Sequence, residues 1–112
     1  MAFDAKLDLV DGIAKITLSG ELDATSAQIF RNAVQEAADQ GARRLVLLMD
    51  ELEYMASAGL RVLIFAKQKM GSNVDIYVVS AQQPVLETIT MTGFYHSVIL
   101  LDEYDSAEIE SL

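Results

Sequence analysis

The sequence contains no cysteine. Disulfides, thiol catalysis and thiolate metal sites are therefore excluded, and a reducing compartment is consistent with the chain. Histidine is nearly absent too: His96 is the only one. No imidazole pair stands at metal-ligand spacing, and any general base of that type would have to be this ring. No apolar run approaches the roughly 18 residues of a membrane span, and the first residues lack the apolar stretch of a secretory leader. Cytoplasmic placement without membrane insertion is expected. Basic residues are scarce, eight Lys and Arg against 17 Asp and Glu, for a formal net charge of -9. Nucleic-acid backbones are gripped by clustered Lys and Arg, so a nucleic-acid partner is not expected and a basic protein partner is favoured. The chain also lacks a P-loop and a dinucleotide fingerprint, so no cofactor and no metal are expected.

What is present is an ordinary globular composition, 52% hydrophobic and 22% charged over 112 residues. That length suits one domain, residues 1–112, with a real core. Residues 5–10 and 13–18 read as a hairpin around Asp11-Gly12, a dipeptide suited to a type I′ turn. Ala14, Ile16 and Leu18 alternate with Lys15 and Thr17, so one face of the second strand is buried and the other wet. Residues 19–25 then form a turn feeding a helix to about Gln40. Ala27, Phe30, Ala33, Val34, Ala37 and Ala38 line one face of it, with Arg31, Gln35, Glu36 and Asp39 turned away. Thr25 with Gln28 fits a capping box, and Asp23 is an alternative cap.

Residues 44–49 form an unbroken apolar run, the mark of a strand buried on both faces. An acidic loop over 50–54, containing Asp50, Glu51 and Glu53, leads into a mostly apolar helix. Leu60, Leu63, Ile64 and Lys67 fall there at helical spacing, and Gly71 sits at the expected C-cap. Ser57 lies at or next to the helix N-cap. There its hydroxyl can accept from an orphan backbone N–H, and a phosphate on it would meet the positive end of the helix dipole. A strand over 74–79 follows, then a helix opened by Gln83-Pro84 with Val85, Leu86 and Ile89 as its apolar stripe. That helix gives way near 91–94, a short strand covers 98–101, and Asp105 with Glu108 caps a brief last helix. Strands alternating with helices predict an α/β domain: one mixed, mostly parallel sheet of about five strands, an N-terminal hairpin and about four helices.

An enzyme is not expected. Met55-Ala56-Ser57-Ala58-Gly59 stands between strand and helix like a nucleophile elbow, but Met55 replaces the first Gly, and a connection over 50–56 is too long for a sharp turn. His96 reads as a surface or turn residue, and the acidic cluster as a solvated loop.

The run Tyr54-Met55-Ala56-Ser57-Ala58-Gly59-Leu60 resembles the signature of STAS-domain anti-sigma-factor antagonists, in which an aromatic and an aliphatic residue precede Asp-Ser-Ser-Gly-Leu. Gly20-Glu21-Leu22-Asp23 with Thr25 is similar to that family's Gly-Glu-Leu-Asp segment, and Met91-Thr92-Gly93-Phe94 to a third turn. The resemblance spans nearly the whole chain and implies the STAS fold. It further implies a switch that sequesters an anti-sigma factor/serine protein kinase, is phosphorylated at Ser57, and is restored by a PP2C-type phosphatase. The partner surface it implies comprises Glu21, Asp23, Thr25, Ala56, Ser57, Ala58, Gly59 and Arg61. Two departures stand out. Ala56 replaces the family's Asp, removing a charge beside the acceptor, and Ala58 replaces a second Ser, leaving Ser57 as the one acceptor in the motif. The alternative is a constitutive STAS scaffold or assembly subunit in which Ser57 is only a cap.

Overall fold

Asp11 and Gly12 both take positive φ, 54° and 81°, and fold the first two strands into the hairpin their sequence predicts. The computed structural model describes residues 2–111, and of Phe94 and Tyr95 the backbone alone. The elements are β1 Asp4–Val10, β2 Ile13–Leu22, α1 Ala27–Asp39, β3 Arg44–Met55, α2 Ser57–Met70, β4 Asp75–Val79, α3 Gln83–Met91, β5 Ile99–Leu101 and α4 Ser106–Ile109, with a 3₁₀ turn over Phe94–Ser97. The five strands lie side by side in chain order. β1 and β2 are antiparallel, and every later pair is parallel. The α/β class, the element order and the mixed sheet are those expected from the sequence.

Chain-order topology has a consequence for the layers. Every crossover steps the same way across the sheet, and right-handed crossovers then place α1, α2 and α3 on one face. That face holds the main core. Ala14, Ile16, Leu18, Leu45, Leu47 and Met49 from the sheet pack with Phe30 and Val34 of α1, Leu63 and Ala66 of α2, and Val85 and Ile89 of α3. The opposite face would leave Ile13, Val46, Tyr77 and Val79 in water; α4 covers them through Ile109, which is fully buried. Arg44 fastens this short helix by donating from Nη1 to the carbonyls of Glu108 and Ile109 and to Ser111 Oγ. Lys15 adds a second tie, with Nζ 4.7 Å from the Tyr104 ring centroid and 3.8 Å from Glu110 Oε2. Asp105 caps α4 by accepting from the Glu108 amide, as its position predicts.

Two expectations are corrected. The stretch 50–54 is not a loop: β3 continues through it to Met55. Likewise Gly20, Glu21 and Leu22 belong to β2 rather than to a turn. The two extensions pair with each other, Ser19 with Glu51, Gly20 with Leu52, Glu21 with Tyr54 and Leu22 with Met55. Register shifts between Thr17 and Ser19 and between Gly20 and Glu21 put the extra residues in β3 and break the period-2 pattern of that strand, whereas in β2 buried and open positions alternate as far as Leu22. Gly20 is required here because it has φ 84° and a Cβ would come within 2.3 Å of the Ala2 carbonyl oxygen. On α2, Leu60 and Leu63 are buried while Ile64 is exposed. That helix packs against α1 as well as the sheet, which draws Gly59, Val62 and Ala66 into its buried arc.

Covering the second face with one residue of a four-residue helix makes that residue expensive to trim. Ile109→Ala should destabilise the fold by about 2–3 kcal/mol, the lower part of the range for large-to-small changes in a core. Urea denaturation measures it; a loss below about 0.5 kcal/mol, typical of surface positions, would mean that α4 contributes little to the fold.

Candidate functional site

The segment that separates β3 from α2 is a single residue. Met55 ends the strand almost fully buried, Ala56 is extended at φ -84°, ψ 173°, and the helix starts at Ser57. The Ala56 amide donates to the Leu22 carbonyl at 2.8 Å, tying the end of β3 to the end of β2. The Ala56 carbonyl in turn accepts from the amides of Gly59 and Leu60, at 3.0 and 3.3 Å. The N-cap is therefore Ala56, whose methyl group cannot cap. Ser57 occupies the first helical position, next to the cap, with an exposed side chain and no capping bond.

This geometry also revises one reason for setting aside a nucleophile elbow, because the connection is short rather than seven residues long. Other features keep the elbow out. Among the described non-glycine residues only Asp11 and Ser80 have positive φ, so Ser57 does not take the strained elbow conformation. His96 sits exposed in the 3₁₀ turn at Phe94–Ser97. Among the described residues, no group of His, Asp and Glu side chains converges as a metal site.

Beside the start of α2 lies the turn from β2 into α1. Asp23 organises it: Oδ1 accepts from the Thr25 amide at 3.0 Å, the Thr25 hydroxyl at 2.7 Å and the Ser26 amide at 3.2 Å. Ser26, the N-cap of α1, is buried; its Oγ accepts from the Asp23 amide at 2.9 Å and lies 3.1 Å from the Glu21 carbonyl. The Thr25–Gln28 capping box does not form. Thr25 turns back to Asp23, and Gln28 Nε2 donates to Asn32 Oδ1 at 2.8 Å. The Thr25 hydroxyl, helped by the Ser26 and Thr25 amides, holds the Asp23 carboxyl below the usual carboxylate range.

The structure gathers the predicted residues at one edge of the sheet. Glu21 pairs in register with the half-exposed Tyr54, and Asp23 and Thr25 stand on the adjoining turn. Ala56, Ser57, Ala58, Gly59 and Arg61 occupy the start of α2. Gly59 is buried against both strands: a Cβ there would lie 2.6 Å from Leu22 Cδ2 and 2.9 Å from Met55 Cγ. Sequence reasoning passed over three neighbours. Gln28 and Arg31 of α1 line a shallow groove with Ala27, Ala58, Arg61 and Val62. Thr88 of α3 donates to the Met55 carbonyl at 3.3 Å, supporting the end of β3. Arg31 lay on the face opposite the apolar stripe, and no local pattern distinguishes such a residue from an ordinary surface charge.

Comparison with known proteins identifies the family and the fold. The STAS domain family matches residues 4–107. The chain is 32% identical over 89 residues to BtrV of Bordetella bronchiseptica, named as an anti-sigma factor antagonist, covering 79% of this chain and 77% of that protein. Its fold is similar to an anti-sigma factor antagonist from Mycobacterium paratuberculosis, with a TM-score of 0.88 at 22% identity over 97% of this chain and 95% of the other. It is also similar to the Bacillus cell fate determinant SpoIIAA in its phosphorylated form, with a TM-score of 0.70 at 17% identity over 98% of both chains.

Two measurements check the local physics. Gly59→Ala should destabilise the protein by about 1–3 kcal/mol through overpacking against Leu22 and Met55, although alanine is the better helix former by about 1 kcal/mol. A chemical-denaturation midpoint equal to or above the parent's would show that this junction is loosely packed. Asp23 has a lowered folded-state pKa, so its contribution to stability is present above the unfolded carboxylate value of about 3.9 and is lost as pH falls through the folded value. The stability difference between the parent and Asp23→Asn should therefore shrink on acidification below about pH 4. A difference constant with pH would mean that the Thr25 and Ser26 bonds do not favour the ionised form.

Proposed function

This chain belongs to the STAS domain family, and from that premise we propose that it is an anti-sigma-factor antagonist acting as a non-enzymatic, phosphorylation-controlled binding switch in the cytoplasm. The observation that carries the reading is the exposed Ser57 hydroxyl at the first position of α2, uncommitted to capping and beside the Asp23 turn. In its unmodified form the chain binds an anti-sigma factor that is also a serine kinase, through Glu21, Asp23, Thr25 and the start of α2. The kinase transfers the γ-phosphoryl of ATP to Ser57 Oγ; the hydroxyl proton leaves and ADP departs. A PP2C-type phosphatase reverses the modification.

The physical logic of the switch is differential tolerance. A phosphoryl group brings roughly -1.5 to -2 charges. Inside the chain it meets the amide end of α2, where negative charge is favourable, so the fold is retained. Across an interface the same group brings bulk and charge to a surface shaped for a small hydroxyl, so the partner is released. The names of the relatives support the antagonist role, and the phosphorylated form of SpoIIAA supports modification on this fold. Ala56 favours a second reading: with no carboxylate beside the acceptor, the chain would serve as a constitutive assembly subunit that is never modified.

Incubation with its cognate anti-sigma factor/kinase and ATP, followed by intact-mass and peptide mapping, separates the readings. The switch requires one phosphate, on Ser57. Ser57→Ala should keep stability within about 0.5 kcal/mol, because no cap is lost, and should bind the partner while resisting release. Ser57→Asp should fold and bind more weakly. A phosphate mapped to another residue, or both variants binding and releasing like the parent, would refute the switch.

A further inference from the structure

Four of the eight Lys and Arg in this acidic chain are engaged in holding the fold. Arg44 clamps α4, Arg43 donates to the Asp11 carbonyl, Lys15 is tied to Glu110 and Tyr104, and Lys67 Nζ lies 3.5 Å from the Val74 carbonyl. Arg31 and Arg61 differ. They come from different helices yet line the same groove, whose other walls are Ala27, Gln28, Ala58 and Val62. Arg31 is positioned by stacking, with Cζ 3.8 Å from the Phe65 ring centroid, which orders the guanidinium without neutralising it. Among the described residues, neither guanidinium is in ion-pair range of a carboxylate. Two arginines with no carboxylate in ion-pair range among the described residues thus line one groove together with two alanines, in a protein of net charge -9.

We infer that this groove receives an acidic side chain of the anti-sigma factor, and that a phosphoryl group on Ser57 expels it by competing for Arg61. The inference rests on the function proposed above. Paired guanidiniums suit a carboxylate because their planar forks donate two parallel bonds, and small floor residues let a chain approach closely. Ser57 and Arg61 are four residues apart on α2, the spacing at which helical side chains are neighbours. A dianion at 57 therefore stands beside the charge that the partner's acid needs. At the other end of the groove, the Ala27 amide donates to the Asp23 carbonyl, so the Asp23 turn adjoins the same surface. The surface is bipolar: a carboxylate at Asp23 for a basic group, and the Arg31–Arg61 groove for an acidic one. Two opposite charges in fixed register select a partner more sharply than net charge does.

Calorimetry with the full chain and its cognate anti-sigma factor, at low and high salt, tests this. Arg31→Gln and Arg61→Gln should each weaken binding roughly tenfold at low salt, with the loss shrinking at high salt. Lys69→Gln, at the far end of α2, should leave binding unchanged. Arg31→Lys controls for the stacking on Phe65, and matching thermal midpoints confirm that the variants are folded. With phosphoserine at 57, the loss of affinity on modification should be smaller in Arg61→Gln than in the parent, since no guanidinium remains to be captured. Arginine variants within twofold of the parent, in a chain whose Ser57 variants still behave as a switch, would overturn the groove and leave the function standing. A parent chain that binds no anti-sigma factor would overturn both.

Discussion

The bond from the Ala56 amide to the Leu22 carbonyl closes the arrangement on which the rest of the site depends. β4 pairs with β3 only from Arg44 to Leu48, whereas β2 stays with β3 as far as Met55. The ends of β2 and β3 therefore extend past the rest of the sheet as a two-stranded projection, bent by its two register shifts. Both strands then turn into helices side by side. Gly59 allows the first turn of α2 to rest directly on Leu22 and Met55, a contact that a single methyl group would spoil. Proximity of Ser57, Asp23 and the groove between α1 and α2 follows from that pairing.

Electrostatics are organised locally around this frame. Much of the negative excess lies at exposed positions, among them Asp4 and Asp8 on β1 and Asp50, Glu51 and Glu53 on β3. Such charges on strand surfaces discourage sheet-to-sheet association while contributing little to the fold. The structural cations work on the opposite face, where Arg44 and Lys15 hold α4 over apolar residues that the right-handed crossovers leave uncovered. Asp23 accepts from the amides and the hydroxyl of its own turn, which holds the carboxylate in place. Preorganised charge of this kind lowers the cost of binding.

A good part of the architecture could be read without coordinates. Ala14, Ile16 and Leu18 alternate and are buried; Phe30, Val34 and Ala37 recur at helical spacing and are buried; Gly71 and Asp105 cap the helices they were expected to cap. These features come from local rules, periodicity and terminal chemistry, which act over a few residues. The motif around Ser57 and the acidic segment at Asp23 were also legible, as were their places at strand-to-helix junctions. The strand over 50–55 was hidden because a bulged pairing puts Leu52 and Met55 inward three residues apart, a spacing that matches no strand template.

What the sequence determined by itself was therefore the α/β order, the family motifs and the identity of the candidate acceptor. What only the tertiary structure decided was that Ala56 rather than Ser57 is the cap, that Asp23 draws its bonds from Thr25 and Ser26, and that Arg31 and Arg61 line one groove. The Asp23 bonds are local to its turn, but the place of that turn beside Ala56 and the groove depends on how two strand ends from separate parts of the chain are brought into register. The bulges and the Ala56–Leu22 bond set that register through backbone geometry, and backbone pairing leaves almost no trace in side-chain pattern.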